Sequence, residues 1–250
     1  MKILYFTKSK PYTCEVLRKL YAENHEVTIV CKNRESFEGT EMDCLCQKLG
    51  ATVYDHDTVN DLVENNQLST YDLGISNTYG RLIRPGVINH LNGKIFNLHA
   101  APLPWYKGMF AYNWAIFNQE SQWGVTAHYV NEKFDEGAII EMRTFPIDPL
   151  RITVKELERE SQRLAAEMTL QLVQKFEENG KLAAKPQESG GRYYSREDFE
   201  RLKQIQMSDS AEVIRRKIHA CWCPPYEGAY WEHDGVHFVI CEPEFLGGNL

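Results

Sequence analysis

The sequence predicts an α/β protein: a mostly parallel, doubly wound sheet with helices on both faces, then a small C-terminal module of helix and β-hairpin. Three observations predict it. Short β-branched and aromatic runs alternate with helix-spaced segments over the first three-fifths of the chain, the pattern of strands joined by right-handed crossovers. The 250 residues are 43% hydrophobic and 25% charged, ordinary values for a chain that buries its own core. From about residue 186 the composition shifts to loop residues, charged helices and clustered aromatics.

Lys2–Phe6 reads as a buried strand, and residues 13–23 follow with helical spacing at Val16, Leu17, Leu20 and Tyr21. Val27–Cys31 is a second strand, residues 41–49 a helix stopped by Gly50, and Ala51–Tyr54 a third strand. Residues 57–66 read as helix, with strands at Tyr71–Ser76 and Lys94–Leu98. After a helix at 112–119 come strands at 124–129 and 138–142. Thr153-Val-Lys-Glu156 is a capping box opening a long helix, whose apolar stripe runs Leu157, Leu164, Met168, Leu172 and Phe176. Helices at 196–207 and 209–220 and a hairpin at 229–241, turning on His233-Asp234-Gly235, complete the chain. The expected division is 1–185 and 186–250. The first turn, Thr7-Lys8-Ser9-Lys10-Pro11, lacks G-x-G-x-x-G, so the fold is Rossmann-like without a dinucleotide site.

The balance of 28 basic and 35 acidic side chains, a formal charge of −7, argues against a nucleic-acid partner. The N-terminal apolar stretch is too short for a signal peptide, and no run approaches the roughly 20 residues of a membrane span. A cytoplasmic location and no membrane partner are expected. The seven cysteines form no C-x-x-C, which fits reduced thiols and no metal site. His233 and His237 lie across a turn signal and are not expected to ligate a metal.

Two polar interruptions carry the chemistry. Asn97 and His99 close an apolar strand two residues apart, so both side chains point the same way at the carboxyl edge of the sheet. The proline-stiffened Ala100–Pro104 loop follows them. Asp135 stands in the loop after Gly124-Val-Thr-Ala-His128. Asn, His and Asp together make a set for proton transfer and oxyanion stabilisation. His128 is left without a role.

Asn97-Leu-His99, Pro-Leu-Pro-x-Tyr-Lys-Gly108, Gly124-Val-Thr-x-His128 and Asp135-x-Gly-x-Ile-Ile140 together resemble the signature of the formyltransferases that use 10-formyltetrahydrofolate. The resemblance covers residues 70–142 most closely, and implies that Asn97, His99 and Asp135 are catalytic, with no metal required. It further implies a folate site on Leu82, Ile83, Val130 and Asp135. One departure is Ala101, where the family commonly carries Ser.

Within that family, the segment after residue 185 is shorter than the tRNA-binding domain of methionyl-tRNA formyltransferases, and is absent from glycinamide ribonucleotide enzymes. It resembles the tail of nucleotide-sugar N-formyltransferases of lipopolysaccharide (O-antigen) pathways. The resemblance implies a homodimer acting on a dTDP-linked amino-dideoxy sugar, with dTDP-4-amino-4,6-dideoxyglucose favoured. A 3-amino or GDP-linked sugar and glycinamide ribonucleotide are alternatives. A formyltetrahydrofolate hydrolase or a folate-binding module is the reading from a different class. Arg81 and Lys107 are the expected pyrophosphate contacts, and Trp222, Tyr226 and Tyr230 the expected nucleobase contacts.

Overall fold

The structure, a computed structural model, describes residues 1–242; the end of the C-terminal segment, 243–250, lies outside the described residues. Among the described residues, eleven strands and eight helices follow in the order β1 (Lys2–Thr7), α1 (Pro11–Ala22), β2 (Glu26–Cys31), α2 (Glu41–Leu49), β3 (Val53–Asp55), α3 (His56–Glu64), β4 (Leu73–Asn77), α4 (Pro85–His90), β5 (Ile95–His99), β6 (Tyr106–Gly108), α5 (Ala111–Phe117), β7 (Gln122–Tyr129), β8 (Ile139–Pro146), α6 (Val154–Asn179), β9 (Arg192–Tyr194), α7 (Arg196–Lys203), α8 (Ala211–Cys221), β10 (Tyr230–His233) and β11 (Val236–Val239).

The main sheet has seven strands in the order β3-β2-β1-β4-β5-β7-β8. The first five are parallel, and β7 and β8 add an antiparallel edge. Strand alternation explains the two covered faces: Ile3 and Tyr5 of β1 face α1, α2 and α6, whereas Leu4 and Phe6 face α3 and α4. The expected α/β class holds. The strand order reverses between β1 and β4, which opens a crevice at the carboxyl ends of the parallel strands.

Local signals held where they were strong. Thr153 and Glu156 form the expected capping box on α6, and Gly180 closes it at φ 67°. The expected hairpin is β10–β11, paired antiparallel. The expected helix over 196–207 stops at Lys203 because the chain turns extended, and Gln204 bridges in parallel to Tyr230. Helix α4, started by Pro85, is too short to show periodicity in sequence. The three-residue strands β6 and β9 are likewise new, and pair in parallel to bring residues 106–108 against 192–194.

That pairing joins the C-terminal segment to the part of the chain that carries the main sheet. Tyr106 and Trp114 share one buried cluster with Tyr194, Leu202, Ile218 and Cys221. The rings of Tyr106 and Tyr194 stack with centroids 5.5 Å apart. No helix among the described residues is long and apolar enough to cross a membrane.

Candidate active site

Asn97 and His99 reach the carboxyl edge on β5, separated by buried Leu98. Antiparallel pairing sets His128 of β7 directly opposite Asn97. A register irregularity between Ala127 and His128, where β7 meets β8, twists the strand there. Asn97 Nδ2 stands 3.1 Å from His128 Nε2, whose Nδ1 in turn faces the Tyr129 carbonyl at 2.9 Å. Nδ1–H donates to that carbonyl, and Nε2 is turned toward the Asn97 side chain and Asp135.

Asp135 closes the cluster from the β7–β8 loop. Its Oδ1 lies 3.4 Å from His99 Nδ1 and 3.6 Å from His128 Nε2. Its Oδ2 accepts the Gly108 N–H at 2.9 Å. Burial alone would raise this carboxyl; the two histidine rings and the Gly108 N–H outweigh burial and hold it well below the ordinary carboxylate range. The other nitrogen of His99 faces the Tyr106 carbonyl at 2.6 Å. The ring is thus fixed between a backbone carbonyl and a carboxylate, which sets its plane and direction.

Backbone shape supports the cluster. Asp135 has φ 57°, in the left-handed region that costs a non-glycine residue about 1–2 kcal/mol. Two residues on, Gly137 packs so tightly against the Tyr129 carbonyl that no Cβ would fit. Gly108, at φ 88°, likewise faces the Tyr194 carbonyl where a side chain would stand.

These groups floor a cleft of about 450 Å³. Its lining includes Tyr79–Ile83 with Val130, Asn131, Lys133 and Phe134, and also Lys8, Tyr112, Glu158, Gln162 and Tyr193. Of the residues singled out from sequence, Asn97, His99, Asp135, Arg81, Leu82, Ile83 and Val130 all line this cleft.

Lys107, Trp222, Tyr226 and Tyr230 do not line it. Lys107 pairs with Glu136 at 3.6 Å. Tyr230 is buried in the hairpin, stacked on His237 with centroids 3.8 Å apart. Tyr226 is exposed on a loop, and Trp222 caps α8. The C-terminal aromatic that does reach the cleft is Tyr193, carried there by the β6–β9 pairing. Phe110, which stacks on Phe199 at 4.1 Å, lines it as well. Sequence reasoning leaves His128 without a role and does not single out Tyr193; the place of His128 opposite Asn97 is what brings it into the site. Among the described residues no cluster of three or more His, Cys, Asp or Glu could hold a metal ion.

A family model described as formyl transferase matches residues 1–173. The chain is 23% identical over 236 residues to the methionyl-tRNA formyltransferase of Finegoldia magna, covering 91% of this chain and 75% of that protein. In structure it is similar to a 4-N formyltransferase from Francisella tularensis, with a TM-score of 0.79, 19% identity and 96% of each chain covered. It is also similar to an N-formyltransferase from Helicobacter canadensis solved with folinic acid and dTDP-3-aminofucose, with a TM-score of 0.71, 19% identity and coverage of 94% and 84%. With the family model spanning the whole main sheet and the Asn97, His99, His128 and Asp135 cluster it carries, the chain belongs to the formyl transferase family and is a formyl-transferring enzyme.

Proposed function

We propose that the chain moves the formyl group of 10-formyltetrahydrofolate to the amine of a dTDP-linked amino-dideoxy sugar, with dTDP-4-amino-4,6-dideoxyglucose as the acceptor. The observation that carries this reading is the Asn97–His128–Asp135–His99 cluster lining one cleft. Among the other lining residues, Tyr79–Ile83 and Val130–Phe134 offer apolar side chains and loop backbone, the lining a pterin ring needs. Lys8 and Gln162, with the ring of Tyr193, suit a phosphorylated, hydroxylated acceptor bearing a base.

In this reading a neutral amine attacks the formyl carbon and negative charge grows on the formyl oxygen. The intermediate collapses by breaking the bond from that carbon to N10 of the folate. The proton shed by the amine goes to N10, so that tetrahydrofolate leaves and the formamide remains. Asn97 keeps one amide N–H beyond the one directed at His128, and that donor meets the growing charge, while the His99 ring, both of whose nitrogens are held by Tyr106 and Asp135, acts on that charge through its field. Asp135 is a weak base in these surroundings, because its carboxyl is held below the ordinary range. Its work is to orient His99 and to balance positive charge on the ring.

A nucleotide-linked sugar is favoured over a charged tRNA, because acidic side chains outnumber basic ones 35 to 28. The solved relative carrying dTDP-3-aminofucose supports a sugar acceptor. We further infer that the segment from 186 onward selects the acceptor. The outer hairpin face, with Trp231, Val236 and Phe238 exposed, pairs two copies into a homodimer.

The test is formyl transfer from 10-formyltetrahydrofolate to a panel of acceptors. The panel holds dTDP- and GDP-linked 3-amino and 4-amino sugars, glycinamide ribonucleotide and methionyl-tRNA, with formate release followed in the absence of amine. Highest kcat/KM is expected for the dTDP-linked 4-amino sugar. Preference for tRNA or glycinamide ribonucleotide, or formate release without an amine, would overturn the reading.

A further inference from the structure

Gln187 belongs to no motif and lies in the segment that connects α6 to β9, yet its side chain is tied to the backbone around Asp135. Its Nε2 donates to the carbonyl oxygens of both Asp135 and Gly137, each at 2.8 Å. Both amide protons are thereby used. Its Oε1 is buried and accepts nothing among the described residues. The two carbonyls dictate this orientation, since a reversed amide would face them with a third oxygen. Two residues upstream, Lys185 exchanges both backbone hydrogen bonds with Ile139, each 2.8 Å long. The connecting segment therefore grips the β7–β8 loop at its turn and at its exit.

That loop needs such a grip. Asp135 is held at φ 57°, and a side chain in the left-handed region persists where its neighbours over-determine the backbone. Its carboxylate faces His99 from β5, His128 from β7 and the Gly108 N–H only while that rotation holds. The adjacent Glu136 is engaged with Lys107 and Lys133, at 3.6 and 3.5 Å, and does not compete for either histidine. Freeing the carbonyls of residues 135 and 137 would let the turn relax toward negative φ and swing the carboxylate away from both rings.

We infer that Gln187 is a positioning residue for formyl transfer, clamping the Asp135–Gly137 turn so that the carboxylate stays aimed at His99 and His128. The effect on turnover rests on the proposed formyl-transfer role of Asp135, whereas the clamp is a property of the geometry. Gln187→Met keeps the length of the side chain and removes both donors. Gln187→Glu removes the donors and sets an acceptor against two carbonyls.

The deciding measurement follows the Asp135 carboxyl carbon by ¹³C NMR across pH in the full-length protein, assigned by loss of its signal in Asp135→Asn. In both variants its midpoint should rise by about one pH unit or more, about tenfold in the protonation equilibrium. In parallel, kcat should fall about tenfold or more, with KM for the formyl donor within about twofold. An unmoved midpoint in the folded variants overturns the clamp, whether or not activity changes. A loss of activity that only follows a loss of melting temperature, with the midpoint unmoved, overturns it equally. A wild-type protein that formylates nothing would sink the proposed function alone, because the titration needs no substrate and still decides the role of Gln187.

Discussion

Removing one donor from an oxyanion site costs about 10²–10³ in turnover, and that figure sets the expectation for Asn97→Ala and His99→Ala. Both side chains stand at the half-buried end of β5, so melting temperatures should stay near wild type while steady-state formyl transfer falls by about that factor. Near-wild-type turnover of His99→Ala would remove the ring from the reaction. Asp135 also leaves a signature in stability. Its carboxyl lies below the ordinary range when folded and near ~3.9 when unfolded, so it stabilises the fold above about pH 4. That contribution is lost as pH falls through the folded value. The difference in urea midpoint between wild type and Asp135→Asn should therefore be widest above about pH 4 and shrink in more acid solution; a difference independent of pH would contradict the ion pairs assigned to Asp135. Asn97, His99 and Asp135 were legible in the sequence because a period-two strand end and a Gly-containing loop are local patterns. His128 was not, because its role depends on which residue of another strand lies opposite. Gln187 and the left-handed backbone of Asp135 leave no local mark either, since aspartate tolerates that conformation without advertising it.

At the scale of elements, the difference is between signals written in neighbouring residues and those written in distant ones. The α6 cap is local: the Thr153 side chain accepts from the Glu156 N–H, and Glu156 reaches back to the Thr153 N–H. Thr153→Ala should lower stability by about 1 kcal/mol in denaturant titration and leave turnover unchanged. The β6–β9 pair is distant, and each strand is too short to show alternation, so sequence reading passed over both. Its centre of strain is Gly108, where φ is 88° and a side chain would run into the Tyr194 carbonyl. Gly108→Ala should cost about 1–2 kcal/mol for the backbone alone. It should also lower turnover, because the same residue's N–H holds the Asp135 carboxylate. Thermal unfolding and formyl transfer measured on one preparation would show both losses together; a stable variant with full activity would show that the β6–β9 register can shift without disturbing Asp135.

Over the whole molecule, the parallel half follows from composition and alternation, while the tail took its meaning from contacts that no composition displays. Aromatic residues at 222, 226 and 230 stand out in the sequence, yet Tyr230 is spent on the hairpin and Tyr193 reaches the cleft instead. If two copies meet through the hairpin, Phe238→Glu, on its exposed face, should convert the dimer to a monomer by light scattering. An unchanged mass would move the interface elsewhere.

The connection from α6 to β9 also bears on how acceptor specificity could be exchanged between relatives. The compositional break near residue 186 is the natural place to join one protein's sheet to another's tail. A junction there would discard the host's Gln187 and replace the strand that pairs with β6, so the chimaera would lose the grip on its own Asp135 turn along with its old acceptor. A junction after Tyr194 would carry the host's whole clasp across and confine the exchange to the helices and hairpin beyond it.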